Sequence, residues 1–540
     1  MSERWDYVIV GAGSAGCVLA ERLSADGRSR VLLLEAGGED RNPLIHMPKG
    51  MARLVMNPKH TWFFPIAQPR VEGEPASEMW VRGLGLGGSS SINGMIYVRG
   101  QPQDYEEWVE RGASGWGWGT MKRAFRAIED HELGDDGVRG AGGPVRVSIN
   151  RFRYPLAEAL IEAGEQMGLP RHEDDLNRED QEGVGYYAHN IRRGRRQSAA
   201  TVFLKPAMRR KNLKVVTGAA VDRILFGEGR AAAVEAIVAG ERRRFDVAGE
   251  VLLTAGALMS PAILQRSGIG PGAVLRAAGV EPIVDSPDVG GRMRDHLGFA
   301  LSYRLRGARG INHEFYGAGL AKNVARYYLT RSGPLATGPF EVGAFVRTTP
   351  EVDRPDLQLY LGGFTFARSD DDNFPVPLAD VERLPGATCY GQLLRLTSEG
   401  TVRITSPDPK DLPEIRPNWV STAEDRAAAI AMMRYMRRYM AQPAIAPFLE
   451  EESFPGARHE TDEELFELFR RLSTCGTHAV ASCRMGSDNA AVVDPDLRVN
   501  GVRGVRVVDC SVMPSLVSGN TNAPAMALAW AAAERIQATA

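Results

Sequence analysis

The sequence predicts an α/β protein in which a nucleotide-binding domain, built from discontinuous segments, accepts an inserted α+β domain. Three observations predict it. A Gly-rich turn links an N-terminal apolar strand to a helix. A strand and an apolar helix return at the far end of the chain. The long region between them carries strands and a helix of its own.

Residues 6–10 read as a strand and run into Gly11-Ala12-Gly13-Ser14-Ala15-Gly16, which opens the helical stretch Cys17 to Leu23. A second apolar run, Val31-Leu32-Leu33-Leu34, ends at Glu35, nineteen positions beyond Gly16. Strand, G-x-G-x-x-G turn, helix, strand and terminal acid make a Rossmann-like dinucleotide unit, in which the acid is expected about 20 residues on. Gly11 allows the tight turn, Gly13 lets a pyrophosphate approach the backbone, and Gly16 lets helix and strand pack closely. The helix start offers free N–H groups and partial positive charge to phosphates. Glu35 can accept from ribose hydroxyls and repels a 2′-phosphate, which disfavours NADP.

The same glycine pattern recurs at Gly83-Leu84-Gly85-Leu86-Gly87-Gly88, after Met79-Trp80-Val81-Arg82. It leads into Ser89-Ser90-Ser91-Ile92-Asn93, a poor helix start. It reads as backbone wrapping a cofactor, with a Gly-rich surface loop as the alternative. Residues 215–251 look strand-rich, with turns at 226–229 and 239–240, and end in the apolar Val251-Leu252-Leu253. The middle region has strand-like runs at 357–361 and 401–405 and a helix over 422–440. The chain closes on a strand at 505–509 and a helix over 525–536. The expected division gives 1–150, 195–304 and 465–540 to the nucleotide domain and 151–194 and 305–464 to the second.

Composition excludes several classes. Apolar residues are 44%, charged residues 24% and the net charge −2, so no polyanion partner is indicated. The basic run Arg192-Arg193-Gly194-Arg195-Arg196 reads as a solvated loop, near the phosphates at most, and no nucleic-acid partner is expected. Five cysteines without C-x-x-C spacing fit a reducing compartment. No leader precedes the first strand and the apolar late stretch is too short to cross a bilayer, so a cytoplasmic protein is expected. Residues 320–331 mix aromatic, aliphatic and basic side chains. They read as a surface helix, with peripheral membrane contact as the alternative. No metal-ligand spacing and no G-x-S-x-G elbow occurs, so no metal is expected.

Four motifs, in order, resemble the glucose-methanol-choline (GMC) oxidoreductase family. The first is the N-terminal unit. The second is Arg82-Gly83-Leu84-Gly85-Leu86-Gly87-Gly88-Ser89-Ser90-Ser91-Ile92-Asn93-Gly94-Met95. The third is Gly256-Ala257-Leu258-Met259-Ser260-Pro261 with Ser267-Gly268-Ile269-Gly270. The last is Val507-Val508-Asp509-Cys510-Ser511-Val512-Met513-Pro514 with Gly519-Asn520-Thr521-Asn522-Ala523-Pro524. Asn42-Pro43-Leu44-Ile45-His46-Met47-Pro48 adds a likeness to the choline dehydrogenase and alkanol dehydrogenase branch. The resemblance implies FAD as cofactor and a substrate domain with an antiparallel sheet. It assigns Gly11, Gly13, Ser14, Ala15, Gly16, Glu35, Ala36, Arg82, Gly87, Gly88, Ser89, Asn93, Gly94, Met95, Ile96, Val221, Ala255, Asp509, Cys510, Asn522 and Ala523 to the FAD site. Some members hold FAD covalently through a histidine of the first signature; Ile92 stands there, so FAD is expected to be non-covalent. Leu394 and His478 stand where the photodecarboxylases of the family differ, so light-driven decarboxylation is not expected.

His478, in Thr477-His478-Ala479-Val480-Ala481-Ser482-Cys483-Arg484-Met485-Gly486, matches the family's catalytic histidine, and Asn520 its His-or-Asn partner. Ala479 replaces a common proline, and Cys510 a common alanine. A neutral imidazole, with an ordinary pKa near 6.5, can take the hydroxyl proton. Asn520 can hydrogen-bond the alcohol oxygen, or serve only as a turn former. The final helix is expected to begin just after Asn522. His296 is expected to be structural. Trp62, Phe340 and Glu341 are pocket candidates, with core aromatics and a solvated acid as the alternatives. The expected function is oxidation of a primary aliphatic or aryl-alkyl alcohol, with electrons passing to a quinone-like acceptor or a redox protein, and to O₂ only in the oxidase alternative. A peroxide-forming oxidase and a non-catalytic flavin-binding protein are the alternatives.

Overall fold

The computed structural model describes residues 3–76, 78–307, 310–366 and 380–539. β1 (Arg4–Val10) and β2 (Val31–Glu35) are buried on both faces and pair in parallel, joined by α1 (Ser14–Leu23). A parallel pair needs such a crossover, and both faces of its sheet must be covered. The sheet has seven strands. Its order is Leu213–Thr217, β2, β1, Glu241–Leu253, Arg230–Val238 and Ala219–Gly227, and Val505–Val507 also pairs with Glu241–Leu253. The strand Glu241–Leu253 changes character along its length. Its exposed Arg242-Arg243-Arg244 pairs antiparallel in the meander, whereas Val251-Leu252-Leu253 is fully buried between β1 and Val505–Val507.

The second sheet has eight strands. Leu449–Phe454, Leu297–Leu305, Gly386–Leu393, Leu357–Gly362, Val342–Val346 and Gly183–Tyr186 run antiparallel to their neighbours, and Arg171–His172 closes the far edge. The helix Ala423–Met440 packs on it, capped by the Thr422 hydroxyl, which accepts from the Asp425 amide at 3.2 Å. A side chain at Gly391 would collide with the sulfurs of Met432 and Met436, so the helix lies hard against the sheet there.

Two strands pair across the expected division of the chain. Leu297–Leu305 falls in the stretch assigned to the nucleotide domain, yet pairs over eight residues with Gly386–Leu393. Thr474–Cys475 likewise adds to Leu297–Leu305. Ladder hydrogen bonds decide the matter, and they place both in the second sheet. The expected strand over 401–405 is shorter, Thr401–Arg403, and pairs with Glu414–Arg416 in a separate hairpin. The final helix is longer than its apolar run suggests, Asn522–Ala538.

The surface segment near residue 320 forms the helix Gly317–Thr330. It buries Asn323 and Tyr327 and exposes Tyr328 and Leu329, the latter to 83%. Gly194 of the basic hairpin abuts the Arg331 carbonyl at the helix end. Among the described residues no helix is long and apolar enough to cross a membrane, and no group of three or more His, Cys, Asp or Glu is placed to hold a metal.

Candidate active site

The first Gly-rich turn and the second are one structure. A Cβ on Gly16 would overlap the Gly11 carbonyl, so α1 lies directly against the turn. Gly87 donates its amide to the Ala12 carbonyl at 2.7 Å, and a Cβ on Gly88 would stand 2.8 Å from the Gly13 Cα. A Cβ on Gly37 would overlap the Gly85 amide nitrogen. The density of glycine therefore reflects backbone touching backbone, for which any side chain is too large. Ser89 accepts the Gly83 amide at 3.1 Å and fixes the end of β4 (Met79–Gly83), which pairs with β3 (Thr61–Pro65).

Glu35 knots this cradle. Its carboxylate accepts from the amides of Ala12 (2.8 Å), Gly37 (2.8 Å) and Gly85 (3.0 Å). Burial pushes its carboxyl up, and the three amides oppose that shift. A carboxylate has about four acceptor positions, so roughly one remains for a ribose hydroxyl. Ala36 follows it, half-buried. Val221 lies buried in Ala219–Gly227, a strand entered through Gly218, whose amide donates to the Gly37 carbonyl. Ala255 backs the Gly11 turn.

Residues remote in sequence close the cradle. The Ser14 hydroxyl donates to the Asn522 side chain at 2.7 Å, across 508 positions. This brings the starts of α1 and of the C-terminal helix together, with Ala15 and Ala523 buried behind them. Neither helix start has a side-chain cap, so both present free amide N–H groups. Asp509 accepts from Gly256 N (2.9 Å), Ser260 Oγ (2.6 Å) and Ser511 N (2.8 Å), tying the last motif to the third; Cys510 follows it, half-buried. Asn93 accepts from the Met95 amide (3.1 Å) and from Arg196 Nη1 (2.7 Å). Gly94 faces Pro339, and Ile96 bridges to His189. Arg196 differs from the rest of its basic run. It is fully buried, and burial alone pulls its guanidinium down to about 9.

The second sheet brings the catalytic candidates. His478 Nε2 lies 3.4 Å from Asn520 Nδ2, across 42 positions. The His478 amide donates to Asp295 Oδ1 at 2.7 Å. Thr477 and Ala481 hold φ of 59° and 65°, uncommon for residues with a Cβ, and bracket His478 in a bent backbone. Burial, then His296 and Arg82, push the His478 imidazolium well down. Burial pushes Asp295 up to about 6 against the pull of Arg82, whose Nη2 is 3.6 Å from Asp295 Oδ2.

Sequence reasoning missed several members. His296, expected to be structural, touches His478 directly, Nδ1 to Nδ1 at 3.0 Å. Asn520 is held by Gln358 and Tyr360, alternate residues of Leu357–Gly362. Buried polar side chains alternating with leucines in a core strand were the available signal. Phe340 packs on Tyr360, with ring centroids 5.6 Å apart, and Trp62 packs in the cluster that contains Ala479. Glu341 is no solvated acid. It is fully buried, paired with Lys49 at 2.9 Å, and accepts from the Tyr154 hydroxyl at 3.2 Å.

The residues fit a dinucleotide. The cradle is bare backbone with two uncapped helix starts, while Arg82 Nη2, buried and without a hydrogen-bond partner, has the Asp295 carboxylate 3.6 Å away. Comparison with known proteins agrees. The GMC oxidoreductase family matches residues 5–298 with its N-terminal model and 397–529 with its C-terminal one. The chain is 39% identical to an alcohol dehydrogenase [acceptor] of Pseudomonas putida, over 98% of this chain and 95% of that one. It is 38% identical to human mitochondrial choline dehydrogenase, over 99% and 90%. Among solved structures, pyridoxine 4-oxidase from Mesorbium loti superposes with a TM-score of 0.88 at 34% identity, over 99% of both chains. FAD is the cofactor that the family and the solved neighbours support for this chain. With its motifs, fold and relatives in agreement, the chain belongs to the GMC oxidoreductase family.

Proposed function

We propose that the chain oxidises a primary alcohol, aliphatic or aryl-alkyl, to the aldehyde and passes the electrons to a quinone-like or other acceptor. The observation that carries this reading is the meeting of His478 Nε2 and Asn520 Nδ2 at 3.4 Å beside the cradle. FAD, when bound, supplies the hydride acceptor. Asn520 Nδ2 donates to the alcohol oxygen and orients it, while His478 Nε2 takes the hydroxyl proton. The lowered pKa of His478 keeps its imidazole neutral, and so able to accept, at ordinary pH. The N-terminus of Asn522–Ala538 opens beside Ser14 and adds partial positive charge to the cradle.

A neutral alcohol is favoured over a quaternary ammonium one. Glu341, next to Phe340 of the Phe340–Tyr360 aromatic pair, is paired with Lys49, and Asp295 beside His478 has Arg82 3.6 Å away, so neither carboxylate is left for a cation. The test is anaerobic mixing with a panel of aliphatic, aromatic and amino alcohols while the flavin absorbance is followed. His478→Ala should keep FAD but reduce it at least about 10²-fold more slowly. Unchanged reduction kinetics in that variant remove His478 from the reaction. Comparing peroxide formation with dye reduction on the same alcohol separates an oxidase from a dehydrogenase. A flavin that no alcohol bleaches leaves a non-catalytic flavoprotein.

A further inference from the structure

We propose that His296 is a positioning residue that, with Tyr187, Gln358 and Tyr360, fixes the tautomer of His478 so that the bare nitrogen Nε2 faces Asn520. The inference rests on the reading of His478 as the base and adds what sets its proton.

The hydrogen bonds have a direction, and a backbone carbonyl anchors it. The Tyr187 hydroxyl lies 2.7 Å from the Leu359 carbonyl, which can only accept, so Tyr187 donates there. The Tyr187 oxygen must then accept from its other neighbour, so Gln358 presents Nε2 to it at 3.0 Å. The same Nε2 lies 3.3 Å from the Asn520 amide, which must therefore turn Oδ1 toward Gln358. Gln358 Oε1, on its other side, accepts from the Tyr360 hydroxyl at 2.9 Å. Asn520 is left with Nδ2 pointing at the Tyr360 oxygen (3.2 Å) and at His478 Nε2 (3.4 Å). A nitrogen that faces an N–H donor carries no proton, so in the neutral ring the proton of His478 sits on Nδ1.

His478 Nδ1 points at His296 Nδ1, 3.0 Å away, with the two rings nearly perpendicular at 82°. One nitrogen must donate and the other accept. With the proton on His478, His296 is the acceptor and its own proton lies on Nε2, a buried atom with no hydrogen-bond partner among the described residues. Gln358 and His296 are fully buried and Tyr187 is 1% exposed, so water does not compete for these bonds. Asp295, Arg82 and Cys475 surround the pair, and Asp295 already receives the His478 amide and the Cys475 thiol. None of them accepts from His478 Nδ1. When His478 gains a proton at Nε2, the Nδ1–H bond to His296 becomes charge-assisted and strengthens. His296 therefore acts on the proton transfer and not on alcohol binding.

Stopped-flow reduction of the FAD-loaded enzyme by a reactive alcohol, without oxygen, tests this. His296→Ala should lower the limiting reduction rate at least about tenfold, the scale of one charge-assisted hydrogen bond, and change the apparent alcohol Kd less than about threefold. His296→Asn, whose Oδ1 can stand where Nδ1 stood, should return the rate to within about fivefold of the parent. Gln358→Leu should also slow reduction at unchanged FAD content, because it frees the Asn520 amide to turn. A parental rate in His296→Ala, or in Gln358→Leu should the first variant lose FAD, overturns the inference, as does an Asn variant no better than Ala. Parental rates in these variants with a slow His478→Ala sink this inference alone. A fast His478→Ala sinks the base reading itself.

Discussion

Replacing Lys49 by Met should destabilise the protein far more than replacing Glu341 by Gln, and the two together should cost less than their sum. The pair is 2.9 Å apart, with Lys49 10% and Glu341 0% exposed. At that distance two unit charges attract by about 6 kcal/mol at an effective dielectric of about 20. Lys49→Met leaves the carboxylate buried with only the Tyr154 hydroxyl at 3.2 Å, at a cost of about 3–5 kcal/mol. Glu341→Gln is milder. Lys49 keeps the Gly338 carbonyl at 2.5 Å and its slight exposure, for a cost of about 1–2 kcal/mol. The double variant buries no charge and should cost about 2 kcal/mol. With an unfolding entropy of about 2.1 cal/mol/K per residue, a chain of 540 residues loses about 1 °C per kcal/mol. Calorimetry at one scan rate should read drops of about 3–5 °C, 1–2 °C and 2 °C in that order. A double variant that falls by the sum of the single ones would show that the two charges do not interact, and would refute the reasoning.

The remaining predictions concern the cofactor, the base and the surface. Gly37→Ala should be purified with less than about one-fifth of its FAD, because the new methyl overlaps the Gly85 amide and pulls apart the donors that Glu35 holds. Stoichiometric flavin absorbance in that variant contradicts the close approach. Flavin reduction by alcohol should stay level as the pH falls through 6.5 and decline only below it. The neutral form of His478 persists down to its lowered pKa, and the rate is lost as the pH passes below that value. An acid limb above 6.5 would assign the titration to another group. The helix Gly317–Thr330 exposes Tyr328 and Leu329, with Lys322 and Arg326 also at the surface, and a vesicle assay tests whether this face meets anionic lipid. Cosedimentation with vesicles containing phosphatidylglycerol should exceed that with neutral vesicles and fall in Leu329→Glu; equal binding to both would dismiss the face.

The local chemistry of the cradle was legible from the sequence. Gly11, Gly13, Gly16 and Glu35 lie within one strand-helix-strand unit, where spacing along the chain maps directly onto space. The motif around His478 was equally legible as a likeness, because its residues are contiguous. What the fold alone decided is everything that meets across long separations. Ser14 finds Asn522, Gly37 finds Gly85, and Asn520 finds Gln358, Tyr360 and His478. No periodicity records these meetings, since each depends on the order and register of strands in a sheet. Leu297–Leu305 shows the limit most plainly. Its apolar pattern suits either domain, and only the ladder to Gly386–Leu393 assigns it to the second sheet and sets His296 against His478. The sequence determined which groups can bind a nucleotide and take a proton. The tertiary structure decided which of their atoms face each other, because hydrogen-bond direction is a property of neighbours in space.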